Sequence, residues 1–181
     1  PDQPLIIDWY DGDVVLWTLQ RTRNETDEQE QEWVLDVCDS VIEALQIKPN
    51  QLFLKQRRRQ RGLFQYEKYG RSNHTKVVTE GGLKFEINFS DYLDLGLFLD
   101  HRPLRQHIRD QASDKRILNC FCYTGSFSVN AAAGGASHVC SIDLSNTYLD
   151  WLRRNLDRND LPHDIHDIRQ GDCLSELRAI G

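Results

Sequence analysis

Two residues of this chain have the types and spacing needed for cofactor chemistry, Gly125 and Asp143. Gly125 follows an apolar run at 117–122 and precedes a run of small residues, which predicts a strand, a sharp turn and a helix start with unpaired N–H groups. Asp143 ends the next apolar run, eighteen positions later. A carboxylate about 20 positions after such a turn can accept hydrogen bonds from both hydroxyls of a ribose. The pair therefore predicts half of a nucleotide-type cofactor site.

The turn also indicates which cofactor to expect. It contains Gly125 alone, whereas a pyrophosphate is held by the closely spaced glycines of a G-x-G-x-x-G loop. This difference favours S-adenosylmethionine, which carries an adenosine but no phosphate. A nicotinamide or flavin enzyme and a purely structural strand–turn–helix remain the alternatives at this point.

The elements around these residues predict an α/β sheet. Parallel strands are predicted at 117–122, His138–Ile142 and Ile165–Gln170, the first of them buried on both faces. Helices are predicted at Pro103–Gln111, at Phe127–Ala133 and from the cap Ser145 to about Asp157. The inner face of the last helix is predicted to comprise Tyr148, Leu149, Leu152 and Leu156. Trp151 and residues 153–158 are then expected to face solvent.

The residues before this sheet predict two hairpins and a helix. The hairpins are predicted at Leu5–Trp9 with Val14–Leu19, and at Lys76–Thr79 with Leu83–Phe89. A helix from Asp27 to Gln46 is predicted to begin at a capping box of Thr26 and Gln29, and Leu52–Leu54 is predicted to open a further strand. In the second hairpin Glu86 and Asn88 alternate with apolar residues and are expected on the solvent face.

The distribution of charge favours local RNA binding, although the net charge of −6 argues against a general nucleic-acid binder. Residues 51–76 hold eight Lys or Arg and one acidic residue, whereas residues 1–50 hold three and twelve. Arginines fix phosphates, and the interleaved tyrosines offer stacking surfaces for unpaired bases. We therefore expect an RNA-facing loop, with a solvated basic loop as the alternative. Its candidate residues are Lys55, Arg57, Arg58, Arg59, Arg61, Tyr66 and Lys68.

Cysteine and histidine usage does not favour a metal site, and a C-x-C metal site at Cys120 and Cys122 is the alternative to packing residues. The five cysteines are an odd number, and four lie in or beside predicted strands, which is typical of reduced packing residues in a cytoplasmic protein. The spacing of His163 and His166 matches no established zinc pattern. No apolar stretch approaches the length of a membrane span, so we expect a soluble protein.

Three motifs surround the predicted cofactor turn. They are G-L-F-L-D-H-R-P-L-R at 96–105, L-N-C-F-C-Y-T-G-S-F-S-V at 118–129 and S-I-D-L-S at 141–145. With them, the chain from about Gln51 onward resembles the class I S-adenosylmethionine-dependent RNA methyltransferases. It looks most similar to the C-terminal, guanine-N7-methylating half of the bacterial bifunctional large-subunit rRNA methyltransferase, and more distantly to the cytosine-C5 rRNA methyltransferases.

The resemblance implies a fold and a domain organisation. The fold class is α/β, a truncated Rossmann-like methyltransferase domain with its first three strands, preceded by a small α+β RNA-binding domain. The implied boundaries are 1–76 for the α+β domain with the basic loop, 77–98 for a linking β-hairpin and 99–181 for the N-terminal half of the methyltransferase domain.

The resemblance also implies which residues bind S-adenosylmethionine. Arg102 would pair with the methionine carboxylate, although a structural ion pair with Asp100 explains it equally well. Asp172 would accept a hydrogen bond from the adenine amino group, although a helix N-cap explains it equally well. The full implied set is Asp100, Arg102, Asn119, Phe121, Tyr123, Thr124, Gly125, Asp143, Leu144, Asp172 and Cys173.

The catalytic motif of the resembled family, Asp-Pro-Pro followed by an aromatic residue, does not occur in this sequence. We therefore expect a fragment of a longer protein, without a catalytic residue of its own and without turnover. For the whole protein the resemblance implies methylation of large-subunit ribosomal RNA at guanine N7 by direct displacement. A cytosine-C5 enzyme and a non-catalytic RNA-binding module on the same fold remain the alternatives.

Overall fold

The structure is a computed structural model of the chain and describes residues 5–19, 26–57 and 73–180. Within these ranges the chain divides into two units. The first contains the described residues up to His74 together with Phe89–Leu93, and the second contains Thr75–Asn88 together with the residues from Asp94 onward. No helix in the described ranges is both long and apolar enough to cross a bilayer.

The first unit is a three-stranded sheet with a helix packed on it. Its elements are β1 (Leu5–Tyr10), β2 (Asp13–Leu19), α1 (Asp27–Leu45) and β3 (Leu52–Arg57). β2 is central, antiparallel to β1 and parallel to β3. α1 begins at the predicted capping box, where Thr26 Oγ1 accepts the Gln29 N–H. Val41 of α1 packs in one core with Val14 and Leu16 of β2. The predicted hairpin, helix and following strand are confirmed.

The second unit combines a hairpin with a parallel sheet. Its elements are β4 (Thr75–Glu80), β5 (Leu83–Asn88), α2 (Arg102–Gln111), β6 (Arg116–Cys120), α3 (Ser126–Ala133), β7 (His138–Asp143), α4 (Asn146–Asp157), β8 (His166–Gln170) and α5 (Cys173–Ile180). β4 and β5 are antiparallel, and β6, β7 and β8 form a parallel sheet in that order. The predicted strands and helices of this region are thus confirmed to within a few residues.

The hairpin β4–β5 belongs to the second unit rather than standing outside both. Helix α4 packs against this hairpin: Asn155 accepts the Glu86 N–H, and Trp151 donates to the Glu86 carbonyl. The division of the chain at 76 and 98 stays a prediction.

The strand that was expected to be buried on both faces lies at an edge of the described sheet. Among the described strands β6 pairs with β7 alone, and Leu118 of β6 is 44% exposed. β7 holds the central position instead, and its side chains from Val139 to Asp143 are all buried. Burial of β6 on both faces is thus not seen among the described residues, and it stays a prediction for the longer protein that the sequence argument expects.

Helix α4 buries two faces rather than one. Tyr148, Leu149, Leu152 and Leu156 are buried as predicted, but Trp151 is also buried, with 1% of its surface exposed. The Trp151 indole N–H donates to the carbonyl of Glu86 at 3.1 Å. The Glu86 carboxylate accepts from Arg154 at 2.8 Å and from Arg158. The predictions that Trp151 faces solvent on α4, and that Glu86 and Asn88 do so on β5, were wrong because α4 and the hairpin cover each other. Arg154 and Arg158 are only partly exposed for the same reason, whereas Arg153 is exposed as predicted.

Candidate functional site

Asp143 lies where the sequence predicted it, at the carboxyl end of the central strand β7. Its Oδ2 accepts the Tyr123 N–H at 2.9 Å and its Oδ1 accepts the Ser145 N–H at 3.0 Å. The residue is 6% exposed. One carboxylate therefore joins the loop after β6 to the loop after β7. Since a carboxylate oxygen has two lone pairs, each oxygen retains the capacity to accept one more hydrogen bond.

The loop between β6 and α3 has an unusual backbone. Phe121, Tyr123 and Gly125 all have positive φ, at 56°, 52° and 75°. A left-handed conformation costs a residue other than glycine on the order of 1–3 kcal/mol, and such residues cluster at ligand sites. The Phe121 side chain is 68% exposed, and Leu144 of the neighbouring loop is 48% exposed. Two large apolar side chains thus lie exposed on the loops that follow β6 and β7.

Gly125 is required by packing against α4. A Cβ placed on it would lie 1.7 Å from Leu152 Cδ1 of α4. The positive φ adds a second reason for glycine at this position. The contact between the turn and α4 therefore requires glycine here whether or not a ligand approaches the backbone.

Thr124 and Asn119 lie beneath the loop. Thr124 is fully buried; its hydroxyl donates to the Gly96 carbonyl at 2.5 Å and its own carbonyl accepts from Asn155 at 3.0 Å. Asn119 donates to Ser128 Oγ at 2.9 Å, and Ser128 lies 2.8 Å from the hydroxyl of Ser141. These two predicted cofactor residues support the loop with their side chains, and their direct contact with the cofactor stays a prediction.

The predicted pair of Asp100 and Arg102 does not form. Arg102 Nε donates to Glu80 at 2.9 Å, while the Asp100 side chain is 79% exposed and lies 3.9 Å from His101. Arg105, almost fully buried, binds the same Glu80 at 2.6 Å. Burial by itself would raise the pKa of Glu80, but the hydrogen bonds from Arg105 and Arg102 hold that pKa below its usual value. The structural ion pair expected for Arg102 thus exists with a different carboxylate.

Asp172 and Cys173 follow strand β8. Asp172 Oδ1 accepts from the N–H and the hydroxyl of Ser175, both at 2.9 Å, and these bonds lower the pKa of Asp172. The N-cap interpretation of Asp172 is therefore the one that the hydrogen bonds bear out. Cys173 is 1% exposed, so its thiol cannot line a ligand surface. Its sulfur accepts the Phe121 N–H at 3.2 Å.

Two of the predicted RNA-binding residues lie on a described strand of the first unit. Lys55 lies on β3, and its ammonium group donates to the Tyr92 carbonyl at 2.6 Å. Arg57 ends β3. The other five predicted residues lie outside the described ranges; they are Arg58, Arg59, Arg61, Tyr66 and Lys68.

Sequence reasoning missed two contributors to this site. Ser145 was expected only as a helix cap, yet its N–H also holds Asp143. Phe98 was not singled out, although its ring is 38% exposed and lies 5.4 Å from the Tyr123 ring. Its position inside the motif at 96–105 was the available signal.

The described residues fit the adenosine part of a cofactor. A buried carboxylate that keeps accepting capacity suits ribose hydroxyls, and the exposed Phe121 and Leu144 side chains suit an aromatic base. Nucleophilic catalysis is not favoured here, because burial raises the pKa values of Cys122, Cys140 and Cys173. The arrangement can bind and orient a small molecule.

Comparison with known proteins gives one family. The S-adenosylmethionine-dependent methyltransferase family model matches residues 1–173. The chain is 47% identical over 179 residues to the ribosomal RNA large subunit methyltransferase K/L of Hahella chejuensis, covering 99% of this chain and 25% of that protein. It is 42% identical over 179 residues to the ribosomal RNA large subunit methyltransferase K of Neisseria meningitidis serogroup B, covering 99% of this chain and 51% of that protein.

Solved structures show the same fold. A putative S-adenosylmethionine-dependent methyltransferase from Streptococcus mutans matches with a TM-score of 0.75 at 24% identity, covering 97% of this chain and 44% of that one. A putative methyltransferase complexed with SAH matches with a TM-score of 0.74 over the same shares. The chain thus spans a quarter to a half of the length of these relatives.

Proposed function

Because this chain belongs to the S-adenosylmethionine-dependent methyltransferase family, we propose that the protein methylates a base of large-subunit ribosomal RNA, with guanine N7 as the atom that receives the methyl group. The observation that carries the proposal is the buried Asp143 carboxylate, held by two loop N–H groups at the carboxyl edge of the sheet beside the exposed Phe121. The printed names of the relatives supply the substrate class.

The chain's own residues would bind and orient the cofactor. Asp143 would accept hydrogen bonds from the ribose hydroxyls, and Phe121 and Leu144 would cover the adenine. Tyr123 and Ser145 keep the carboxylate in place through their N–H groups. Asp100, whose side chain is 79% exposed, and Arg102 would lie toward the methionine end. When bound, S-adenosylmethionine supplies an electrophilic methyl group on its sulfonium.

Guanine N7 suits a site built for positioning. Its lone pair is free, so the site need not remove a proton before attack, and alignment of the two reactants lowers the barrier by proximity. A cytosine-C5 enzyme requires a cysteine nucleophile instead. Among the described cysteines, Cys122, Cys140 and Cys173 are buried with raised pKa values, and Cys120 lies on β6 in contact with that core. These four cysteines are therefore poor candidates for that nucleophile, and the N7 assignment rests on the resemblance.

The basic segment at 51–76 is proposed to contact the RNA. A ribosomal RNA substrate would place the reaction in the cytoplasm. Because the sequence contains no Asp-Pro-Pro motif, cofactor binding is the property to test on this chain, and turnover is tested on the full-length protein. There, borohydride and aniline cleavage of the methylated RNA would detect 7-methylguanosine, and its absence from a methylated product would exclude the N7 assignment.

The binding test is a calorimetric titration of the chain with S-adenosylmethionine. Asp143→Asn replaces one accepting oxygen by an amide NH2, and we expect it to weaken binding by at least about tenfold, the loss of about one charge-assisted hydrogen bond. Asp150→Asn is the matched control, since Asp150 is an exposed carboxylate on α4. Thermal unfolding of each variant separates lost affinity from lost folding.

Phe121→Ala is a second variant for the same titration. It should leave the core undisturbed, because the Phe121 side chain is 68% exposed. Weaker binding by this variant as well would support the placement of the adenine. Equal affinity of the parent, Asp143→Asn and Phe121→Ala would mean that the cofactor does not bind at this edge of the sheet.

A further inference from the structure

Three segments of the candidate cofactor site meet at one buried sulfur atom. Cys173 Sγ accepts the N–H of Phe121, from the loop after β6, at 3.2 Å. The same thiol lies 3.7 Å from the carbonyl of Ile142, to which it donates, one residue before Asp143 on β7. Cys173 itself begins α5, directly after the N-cap Asp172. The thiol therefore connects the ends of β6, β7 and β8.

The contact with Phe121 is the one that matters for the site. Phe121 has a left-handed backbone, which a bulky aromatic residue adopts only when its surroundings hold it there. Its N–H points into the core beneath the loop, where an unpaired donor would be costly. The sulfur of Cys173 satisfies that donor. The ring of Phe121 meanwhile remains 68% exposed on the outer side.

We propose that Cys173 is a positioning residue for cofactor binding, which acts through the backbone of Phe121 and does not touch the cofactor. The inference rests on the proposed function and deepens it. By accepting the Phe121 N–H, the thiol stabilises the left-handed turn that presents the aromatic ring beside Asp143. This replaces the direct cofactor contact that the sequence suggested for Cys173, which its burial does not allow.

A purely space-filling role for Cys173 makes a different prediction. Cys140 and Ile142 belong to the same buried cluster, and Cys120 packs against it. If Cys173 only fills volume, then Cys140→Ala and Cys173→Ala should affect the site alike. If it acts as an acceptor, then Cys173→Val, which fills the space but accepts no hydrogen bond, should behave like Cys173→Ala. Cys173→Ser can still accept the Phe121 N–H, so it should keep most of the cofactor affinity of the parent.

The first experiment tests the hydrogen bond from the Phe121 N–H to Cys173 in the absence of cofactor. Amide hydrogen exchange, followed by NMR, should be at least about tenfold faster at Phe121 in Cys173→Val than in the parent. The Tyr123 amide, which binds Asp143 instead, should keep its rate and serves as an internal control. Recovery of slow exchange in Cys173→Ser supports the proposal. Unchanged exchange at Phe121 in a folded Cys173→Val, or equal acceleration at Phe121 and Tyr123, overturns it.

The second experiment is a double-mutant cycle on S-adenosylmethionine affinity. We expect Cys173→Val to weaken binding by about tenfold and Cys140→Ala to change it by less than about twofold. In a Phe121→Ala background, Cys173→Val should add less than about a further twofold, because its effect passes through the ring that has been removed. Full additivity overturns the proposal. Failure of the parent chain to bind would count against the proposed function, whereas the exchange experiment would still decide whether Cys173 positions Phe121.

Discussion

His166 begins strand β8 with both ring nitrogens buried and without a hydrogen-bond partner in the described part of the chain. Burial is the main cause that lowers its pKa, to about 4; His163 and His138 act in the same direction and Asp164 acts against them. The group is therefore held neutral by the fold. Its place at the amino end of its strand separates it from the carboxyl edge where Asp143 lies.

This histidine should make the stability depend on pH. In the unfolded chain a histidine has a pKa of about 6.5, so between about pH 6.5 and 4 the unfolded state binds a proton that the folded state excludes. Stability should therefore fall as the pH falls through this window. We expect urea titrations to show a loss of about 1–2 kcal/mol in the free energy of unfolding between about pH 7.5 and 5, a loss that His166→Gln abolishes. His107→Gln, on the exposed face of α2, is the control. Parallel pH profiles for parent and His166→Gln would contradict the assignment.

Helix α4 positions the candidate site through three packing contacts. It packs Leu152 against the turn at Gly125, Asn155 against the carbonyl of Thr124, and Trp151 against the carbonyl of Glu86. A Cβ on Gly96 would lie 2.4 Å from the Trp151 ring. The helix thus fixes the cofactor turn and the hairpin β4–β5 together.

The ion pairs between α4 and the hairpin should stabilise this arrangement measurably. Glu86 is buried and paired with Arg154 and Arg158, so its removal leaves two half-buried guanidinium groups without that carboxylate. We expect Glu86→Ala to lower the free energy of unfolding by about 2 kcal/mol, between the values typical of exposed and of buried pairs. Asp150→Ala breaks an exposed pair on the same helix and should cost less than about 0.5 kcal/mol. Similar losses in the free energy of unfolding from the two variants would show that the Glu86 ion pairs stabilise the fold no more than an exposed pair.

Features that depend on neighbouring residues could be predicted from the sequence, whereas contacts between distant residues could not. The capping box at Thr26, the turn glycines of both hairpins and the Ser145 cap are local signals, and the corresponding elements were predicted correctly. The second buried face of α4 was missed, because Trp151 and Glu86 lie 65 positions apart and no periodicity links them.

The site was predicted in part for the same reason. The end of β7 follows from its apolar run, so Asp143 was placed correctly at the carboxyl edge. The inward direction of Thr124 and Cys173 depends on left-handed loop residues and on a helix 50 positions away, which sequence spacing does not encode.

Across the whole molecule, positive charge is concentrated where the sequence predicts an RNA contact. The chain has a net charge of −6, yet residues 51–76 contain eight of its 22 Lys and Arg residues. A local cationic segment in an acidic protein attracts phosphate without making the entire surface bind polyanions. The affinity for RNA should then depend on where positive charges are removed, and not merely on how many.

Two triple variants with the same change in net charge test this dependence. Arg57, Arg58 and Arg59 to alanine removes three cations from the basic segment, whereas Lys115, Arg116 and Arg153 to alanine removes three exposed cations from the second unit. Each phosphate contact contributes about 0.7–0.9 to the slope of log affinity against log salt. For a ribosomal RNA fragment, fluorescence anisotropy at several salt concentrations should therefore give a slope smaller by about 2 in the first variant and nearly unchanged in the second. Equal slopes in both variants would mean that RNA responds to total charge, and the basic segment would lose its proposed role as the contact surface.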